Sequence, residues 1–425
     1  MEHSLIPWVL FGVFVVLLCI RIPISISLGA SAMVCLLMLD IPLIVIPQRI
    51  FSSVDSFSLM AIPMFIVAGN IMSVGGISLK LINVAEVFFG NIRGGLAITA
   101  ILACAFFAAL TGSGPATVIA IGSMVYPEML KRGYPDYQMA GLVTVAGGLG
   151  PVIPPSIIMI IYCTLTNTSI KDLFTAGFLI GFTMMFALMV VCYWQAKKHN
   201  WPLSHEKFSG QKLMTACLTG LPALMMPFIV LGGIYGGIFT PTEAAAVAVI
   251  YSIIVSCFLY RSLTLKQLLK ILKDSAVASS VVLFIIGTAS VFAWLFTVAG
   301  ISNAIGSAIL GAGFGYWGII FIMTVVLLIF GFFMEFTATV LLLIPLFFPL
   351  CLAVGIHPLQ LGMIVTLTNV IGCMTPPVAT NIFACGSFTG LPVEKIALGE
   401  LPYLLTLVVI LILVVCFPWF STFML

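Results

Sequence analysis

Two stretches of the chain decide the fold: GGLGPVIPPS at 147–156 and NVIGCMTPPVATN at 369–381. Each places a Pro-Pro pair inside a long apolar run, with Gly, Ser, Thr or Asn on either side. Proline removes an amide donor and clashes with the preceding turn, so each pair predicts a helix interrupted in its middle. Unwound backbone is tolerated at membrane depth only where protein or a water-filled cavity covers it. Both stretches are therefore expected at a polar site inside a membrane protein.

The composition agrees with a lipid environment. Of the 425 residues, 62% are hydrophobic and 7% are charged, whereas a soluble domain has roughly 25% charged residues. So little charge cannot cover a soluble surface, which excludes a soluble enzyme, a nucleic-acid-binding protein and a disordered scaffold. Apolar runs of about 20 residues recur, as in membrane helices and unlike the short alternating strands of a barrel. The sequence predicts an all-α, polytopic protein of the lipid bilayer.

Ten apolar segments are suited to cross a bilayer, and two longer ones carry a polar centre. The ten predicted crossings are 5–20, 24–46, 57–74, 137–166, 173–195, 215–238, 242–260, 275–299, 358–388 and 400–423. The longer stretches, 94–130 and 313–354, are predicted to be re-entrant hairpins that return to their side of entry. The eleven cysteines are expected to be small buried hydrophobes rather than disulfides or metal ligands.

Basic residues predict the orientation, since cytoplasmic loops are enriched in Lys and Arg. Two lysine-rich linkers, within 197–212 and 261–273, are separated by two predicted helices and are both assigned to the cytoplasm. Counting outwards, the first hairpin enters from the cytoplasm, the second enters from the opposite side, and both termini are periplasmic. The stretch LTLKQLLKILKD (263–274) is predicted to be an amphipathic helix at the inner interface.

The two halves of the sequence repeat each other at an offset of 222 residues. Sixteen of the 68 positions from 112 to 179 are identical to their partners, where chance at this composition gives roughly seven. Because the hairpins open to opposite sides, the repeats are inverted, a signature of secondary transporters with a site near the midplane. The predicted organisation is scaffold helices at 1–56, a first repeat at 57–196, scaffold helices and the interfacial arm at 197–274, and a second repeat at 275–425. The broken helices lie at 137–166 and 358–388.

Each interrupted helix has a hairpin tip as its counterpart: LTGSGPAT (110–117) in the first repeat and FMEFTAT (333–339) in the second. An opened helix offers carbonyl oxygens to a hard cation such as Na⁺ and free amides to an anion. The alternative is a simple kink at each Pro-Pro pair. The candidate Na⁺ residues are Gly112, Ser113, Gly150 and Ser156 in the first repeat and Gly331, Glu335, Gly372 and Thr375 in the second. The candidate substrate-binding residues are Thr117, Thr339, Asn369, Thr380 and Asn381.

Two acidic residues inside apolar surroundings have more than one interpretation. Glu335 lies at the centre of the second hairpin, where an ionisable residue is a functional candidate by default. It lies near a cation or gate, or it caps the half-helix that follows. Glu243, in TPTEAAA (240–246), is better explained as part of a helix start capped by Thr240 or Thr242.

The distribution of charge also bears on the coupling ion. No lysine or arginine within the predicted spans is placed to hold a carboxylate. An anionic cargo must then be neutralised by backbone amides, hydroxyls, side-chain amides and bound cations. This favours Na⁺ coupling over proton coupling.

The combination of GSGPAT (112–117), GPVIPPS (150–156), TPTEAAAVAV (240–249) and GCMTPPVATN (372–381) resembles the large membrane subunit of TRAP transporters, the DctM family. The resemblance covers essentially the whole chain. It implies an elevator-type, Na⁺-coupled uptake system of the bacterial inner membrane, with two helical hairpins in a moving domain. It also implies two partners, a small four-helix membrane subunit and a periplasmic substrate-binding protein.

The resemblance further implies where ions and cargo bind. One Na⁺ is expected around Gly112 and Ser113 with the 150–156 break, and a second between Gly331 and the 372–375 break. The expected cargo is a carboxylate such as a C4-dicarboxylate or a sialic acid, and no organic cofactor is expected. The main alternative is a stand-alone Na⁺-coupled dicarboxylate or anion symporter, or an ion exchanger. An enzyme is disfavoured because the spans show no nucleophile–base pair, HExxH motif or carboxylate dyad. A channel is disfavoured because there is no repeated pore-lining filter.

Overall fold

The computed structural model describes residues 2–89, 92–203, 210–300 and 313–423. In these ranges helices are joined by turns and loops, and the strand-type pairing is one isolated antiparallel bridge between Arg93 and Leu203. The first half forms eleven helices. They are α1 (Glu2–Cys19), α2 (Ile24–Met38), α3 (Val45–Val54), α4 (Ala61–Val74), α5 (Ile77–Phe89), α6 (Gly95–Thr111), α7 (Gly114–Thr117), α8 (Ser123–Lys131), α9 (Asp136–Gly147), α10 (Ile157–Thr166) and α11 (Ile170–Lys198). A 3₁₀ turn (Ser58–Met60) precedes α4, and a π-helical turn (Val118–Gly122) joins α7 to α8.

The described part of the second half follows the same order. Its helices are α12 (Gly210–Tyr235), α13 (Pro241–Ile253), α14 (Leu265–Val298), α15 (Tyr316–Phe333), α16 (Phe336–Ala353), α17 (Pro358–Gly372), α18 (Thr380–Thr389), α19 (Val393–Cys416) and α20 (Trp419–Thr422). A π-helical turn (Ile254–Leu259) extends α13. The start of α16 lies 222 residues after the start of α7, and α17 follows α9 by the same interval. The predicted repeat is therefore also a repeat of helix boundaries.

Seven of the described helices are long and apolar enough to cross a membrane. Five of them correspond to predicted crossings: α11, α12, α13 with its π turn, α14 and α19. The other two, α15 and α16, are the arms of the second predicted hairpin. The remaining predicted crossings fall on shorter apolar helices, such as α2, or on the two helices that break at the Pro-Pro pairs. The chain is thus a multi-pass membrane protein, and the regular elements of its described residues are helices.

The helices pack as two groups. In the first group, here called the frame, α14 lies against α2, α3 and α4, α13 lies against α4, and α12 lies against α5 and α13. In the second group, here called the core body, α9 packs along α19, α6 against α9 and α11, and α15 against α17. The two groups meet where α5 packs on α6 and α14 on α16. The hairpins and both broken helices belong to the core body.

Local sequence explains several helix boundaries. Thr240 caps α13 in a capping box, in which Glu243 Oε2 accepts from the Thr240 amide at 2.8 Å, so the prediction for Glu243 is confirmed. Thr264 and Gln267 form the same motif at the start of α14. The predicted interfacial stretch 263–274 does not end as a separate helix but continues without a break to Val298. Its repeat counterpart is divided, since α3 and the segment that contains α4 are bent by 71°.

Candidate ion and substrate site

The tip of the first hairpin lies directly on the first helix break. Gly112 is the C-cap residue of α6 and has φ +61°. A Cβ atom there would lie 2.5 Å from the carbonyl oxygen of Pro155. A Cβ atom at Gly150 would lie 2.6 Å from the carbonyl oxygen of Ser113. Both contacts are with backbone, which cannot rotate away as a side chain can. The structure therefore brings together Gly112, Ser113, Gly150 and the turn before Ser156.

Hydroxyl groups hold this first cluster in place. Thr117 Oγ1 donates to the Ser113 carbonyl at 2.8 Å and lies 3.2 Å from Thr111 Oγ1. Ser156 is fully buried, and its hydroxyl donates to the Pro151 carbonyl at 2.5 Å while it accepts from the Met159 amide at the start of α10. The predicted substrate residue Thr117 and the predicted Na⁺ residue Ser156 thus both have structural hydrogen bonds.

Several carbonyl groups of the first break remain without a backbone partner. Within the described residues, no amide donates to the carbonyl oxygens of Gly150, Pro154 or Pro155. The peptide bond between the two prolines is cis, as it is in the second break. Neutral backbone oxygens of this kind suit a hard monovalent cation in an opened membrane helix. The break therefore offers the donor set predicted for Na⁺.

The second hairpin meets the second break in the same manner. A Cβ atom at Gly372 would lie 2.6 Å from the Gly331 carbonyl oxygen, and the amide of Val378 donates to the Phe332 carbonyl at 3.1 Å. Thr375 lies in this break, with its hydroxyl donating to the Ile371 carbonyl at 2.8 Å. The predicted pairing of Gly331 with Gly372 is thus a direct backbone contact.

Glu335 caps the second arm of this hairpin. It is the N-cap residue of α16; Oε2 accepts from the Thr337 amide at 3.0 Å and Oε1 accepts from the Thr337 hydroxyl at 3.0 Å. Of the interpretations left open by the sequence, helix capping is the one that this geometry displays. Thr339, one turn later, is fully buried and its hydroxyl donates to the Glu335 carbonyl at 3.3 Å.

We expect Glu335→Ala to lower the free energy of unfolding by about 1 kcal/mol, because an N-cap acceptor is lost. Glu335→Asp should retain most of the stability, since Asp is a preferred N-cap residue. Melting temperatures of the purified protein, together with Na⁺ activation curves of uptake, measure the two effects. If both variants melt like the wild type but need more Na⁺, the carboxylate acts on the cation rather than as a cap.

Asn381 connects the two repeats. Its side chain is 1% exposed, and its Nδ2 donates to the Thr144 carbonyl of α9 at 3.2 Å. A Cβ atom at Gly114, in the first hairpin tip, would lie 2.8 Å from Asn381 Oδ1. Its own amide donates to the Cys373 carbonyl at 2.9 Å. One residue of the second break thus contacts both polar elements of the first repeat.

Three side-chain oxygens around the second break are buried and have no hydrogen-bond partner among the described residues: Asn369 Oδ1, Thr380 Oγ1 and Asn381 Oδ1. Asn369 is 2% exposed, and its Nδ2 donates to the Val365 carbonyl of its own helix at 2.7 Å. Buried polar atoms in native proteins are nearly always paired, so each of these three oxygens is available to a cation, a ligand or water. All three residues were candidate substrate ligands. The other two candidates, Thr117 and Thr339, are in separate hairpins and share no hydrogen bond.

Sequence reasoning missed Thr111, Gly114 and Thr144 as parts of this site. Thr144 carried a signal, because it is identical to Thr366 at the repeat offset. Gly114 also carried one, since a glycine before a proline at a hairpin tip predicts close backbone approach. Thr111 ends α6 and showed no pattern that distinguishes it from other threonines in apolar helices.

A cavity of about 850 Å³ lies between the frame and the core body, at the end assigned to the periplasm. Three turns surround it: the α3–α4 corner, the α10–α11 turn and the α12–α13 turn. Its polar lining includes Ser56, Ser58, Thr164, Asn167 and Lys171. Lys171 Nζ also donates to the Tyr235 carbonyl, at the carboxyl end of α12, at 3.0 Å. The cavity thus has a polar wall on both helix groups.

Comparison with known proteins identifies the family. Residues 11–420 match the family described as "Tripartite ATP-independent periplasmic transporter, DctM component". The chain belongs to the DctM family. A relative from Rhodobacter capsulatus, "C4-dicarboxylate TRAP transporter large permease protein DctM", is 36% identical over 97% of both chains. DctM relatives also include the "Isethionate TRAP transporter permease protein DctMQ" of Oleidesulfovibrio alaskensis, which is 38% identical over 96% of this chain and 65% of that protein.

A solved structure resembles the chain in fold. The YdaH transporter of Alcanivorax borkumensis has a TM-score of 0.65 over 99% of both chains, at 14% sequence identity. The predicted DctM resemblance and the all-helical membrane fold are therefore confirmed. As a DctM component, the chain is the large permease subunit of a TRAP transporter and not an enzyme.

Proposed function

We propose that this DctM protein imports a small carboxylate by coupling its movement to Na⁺. The observation that carries the proposal is the pair of hairpin tips, each packed backbone to backbone on an opened helix. Unpaired carbonyl, hydroxyl and amide oxygens lie in these breaks, and the described residues that form the contacts include no lysine or arginine. Inverted repeats with discontinuous helices place substrate and ion sites at the repeat interface.

Na⁺ fits the chemistry of both clusters. In the first, the carbonyls of Gly150, Pro154 and Pro155 would hold the ion next to Gly112 and Ser113. In the second, Gly331 contacts Gly372, and Asn369 and Thr380, on either side of this break, have unpaired side-chain oxygens. A bound Na⁺ supplies positive charge where the protein has none, so a carboxylate can be held by Asn381 and the hydroxyls of Thr117, Thr339 and Thr380. Thr375 and Glu335 would shape the second site through the turns that they stabilise.

Corresponding residues of the two repeats differ in how far they are buried by neighbouring helices, and this difference supports an elevator movement. Ile119 in the first hairpin is 47% exposed and Phe383 in α18 is 54% exposed. Their repeat counterparts, Leu341 and Ile161, are 2% and 1% exposed, because α16 and α10 pack against each other and α16 also packs on the frame helix α14. The uncovered side is the one assigned to the cytoplasm. We infer an inward-facing state, from which the core body slides along the frame to cover the opposite pair.

The polar cavity near Lys171 is the proposed entrance for the cargo. It lies at the assigned periplasmic end, and α10 leads from it to the Ser156 break. The lining holds Glu243 as well as Lys171, but the Glu243 carboxylate is engaged by Thr240, so Lys171 would be the group that meets a carboxylate. C4-dicarboxylates and isethionate, named for the two relatives, are both small anions, and a sialic acid is the larger cargo to test beside them.

Two partners complete the proposed system. A small four-helix membrane subunit would pack on the frame, and a periplasmic binding protein would deliver the cargo at the Lys171 cavity. The assembly would lie in the bacterial inner membrane with both termini of this chain in the periplasm. The tripartite family description and the longer DctMQ relative support this composition.

Uptake by reconstituted proteoliposomes tests the proposal. We expect uptake of labelled dicarboxylate only when this chain, the small subunit and a loaded binding protein are present with an inward Na⁺ gradient. Replacing Na⁺ by K⁺ should abolish uptake, because a site of carbonyl oxygens arranged for Na⁺ would not fit the larger K⁺ ion. An equal pH gradient without Na⁺ is the matched control.

Two outcomes would contradict the proposal in different ways. Uptake by this chain alone would indicate a stand-alone symporter and remove the tripartite assembly. Uptake driven by the pH gradient alone would remove Na⁺ as the coupling ion. If no dicarboxylate is carried, sialic acid and isethionate in the same vesicles separate an error in the cargo from an error in the mechanism.

A further inference from the structure

A buried carboxyl group lies outside both predicted cation sites. Glu400, in the second turn of α19, is 1% exposed, and the ion pairs found among the described residues do not include it. Its Oε2 has no hydrogen-bond partner within the same residues. An isolated carboxylate is among the costliest groups to remove from water. Glu400 therefore requires either a counter-charge or a proton.

The helix contact around Glu400 excludes water. Gly141 on α9 and Gly399 on α19 interlock so closely that a Cβ atom on either would overlap the backbone of the other helix. A Cβ atom at Gly399 would meet the Tyr137 carbonyl oxygen and lie 3.3 Å from the Gln138 Cα atom. Glu400 is the residue next to this contact and is 1% exposed, so little water is available to stabilise its carboxylate.

Two polar side chains beside Glu400 each have a buried oxygen without a hydrogen-bond partner among the described residues. Gln138 Oε1, on the facing helix, is buried without a partner, and so is the hydroxyl of Tyr403 one turn along α19. The repeat counterpart of Gln138 is fully paired: Gln360 Oε1 accepts from the Tyr316 hydroxyl at 2.8 Å, and its Nε2 donates to the Val414 carbonyl at 3.1 Å. A proton on Glu400 is a donor of the kind that the Gln138 oxygen lacks.

None of the titratable groups on the surrounding helices neutralises a carboxylate there. Cys385 on α18 lies near both Glu400 and Asp136 of α9, and neither Cys385 nor Asp136 is a cation. Cys192, on α11, lies near Tyr403. Lys197 and Lys198 end α11 in exposed positions, and α17 and α20 carry no titratable residue. None of these groups supplies a counter-charge to Glu400.

We propose that Glu400 is a proton-binding site, neutral in the folded protein, that seals the contact between α9 and α19. This site is separate from the Na⁺ clusters and does not depend on the proposed transport function. Because the folded chain keeps a proton that an unfolded chain releases, stability falls as pH rises above about 4.3, where an exposed glutamic acid titrates. The fall continues until the buried acid ionises.

Infrared spectroscopy of the full chain in nanodiscs tests this directly. The wild type should show the C=O band of a protonated carboxylic acid at neutral pH, and Glu400→Gln should lose it. Glu394→Gln is the matched control, since Glu394 is an exposed acid on the same helix. An identical band in wild type and Glu400→Gln would overturn the proposal. Glu400→Asp should shift the band, and an unshifted band would overturn it even if the Gln variant does not fold.

Equilibrium unfolding at several pH values gives an independent readout. The unfolding constant of wild type, relative to Glu400→Gln, should rise about tenfold for each pH unit above roughly 4.3. The ratio of the unfolding constants of wild type and Glu394→Gln should not change with pH. A pH-independent ratio for Glu400→Gln overturns the proposal. So does a ratio that changes with Na⁺ or K⁺ concentration, because it identifies a metal counter-ion in place of a proton.

Discussion

Gly150→Ala is expected to raise the Na⁺ concentration for half-maximal uptake by about 5- to 150-fold. The new Cβ atom would lie 2.6 Å from the Ser113 carbonyl oxygen and 2.7 Å from its carbonyl carbon. Accommodating an extra carbon atom in a packed site costs about 1–3 kcal/mol, which corresponds to a change of about 5- to 150-fold in a binding constant. The cost falls on the state in which the hairpin tip closes on the break, and this is the proposed ion-loaded state.

Two variants make this test specific. Gly372→Ala should act in the same way, because its Cβ atom would lie 2.6 Å from the Gly331 carbonyl oxygen in the second repeat. Gly12→Ala is the control, since a Cβ atom at this position in α1 has no neighbour within 4 Å. Na⁺ activation curves of uptake measure all three. A Gly150→Ala protein with a wild-type Na⁺ response would show that the tip does not close on the break around an ion.

Asn381→Ala should reduce uptake at least about tenfold and lower the free energy of unfolding by roughly 1–3 kcal/mol. At the end of α9 the Gly148 amide donates to the Val145 and Ala146 carbonyls, so the Thr144 carbonyl accepts from Asn381 instead. Removal of the amide leaves that buried carbonyl without a donor, at a cost of about 1–3 kcal/mol. It also removes the side chain that contacts the hairpin tip at Gly114.

Asn70→Ala is the matched control for Asn381. Asn70 Nδ2 donates to the Ser275 hydroxyl at 2.9 Å, and the two residues belong to the frame helices α4 and α14. We expect a comparable loss of stability from this variant, without a change in the KM for cargo or in the Na⁺ response. Melting temperatures and initial uptake rates separate the two variants. Equal effects on KM would mean that Asn381 serves the fold alone.

The sequence predicted those features that depend on neighbouring residues. Pro154–Pro155 and Pro376–Pro377 located both breaks, and the predicted hairpins at 94–130 and 313–354 match α6–α8 and α15–α16. Proline and glycine act within one turn of their own position, so their effect can be read locally. The same kind of short-range pattern predicted a cap at Thr240 or Thr242, and the structure shows that Thr240 is the cap.

Features that depend on distant contacts were not predictable in this way. The Asn381–Thr144 hydrogen bond joins residues 237 positions apart. The bend between α3 and α4 has no counterpart in the unbroken α14, although the two regions are repeat mates and pack against each other. The predicted boundary between the regions 197–274 and 275–425 lies inside α14. Glu400 was not singled out, because it lies at the edge of the predicted crossing 400–423 and the sequence does not reveal what it faces.

The interlocked glycines of α9 and α19 bear on how the protein is made. Gly399 is synthesised 258 residues after Gly141, which takes roughly 10–50 s at about 5–20 residues per second. During that time the first half lies in the membrane with its polar break and the Gly141 side of α9 not yet packed against the second half. Neither half can complete its own interior, because each contributes helices to the other's. The insertion machinery, or a partner already present, must therefore shelter the first half until the last long helix leaves the ribosome.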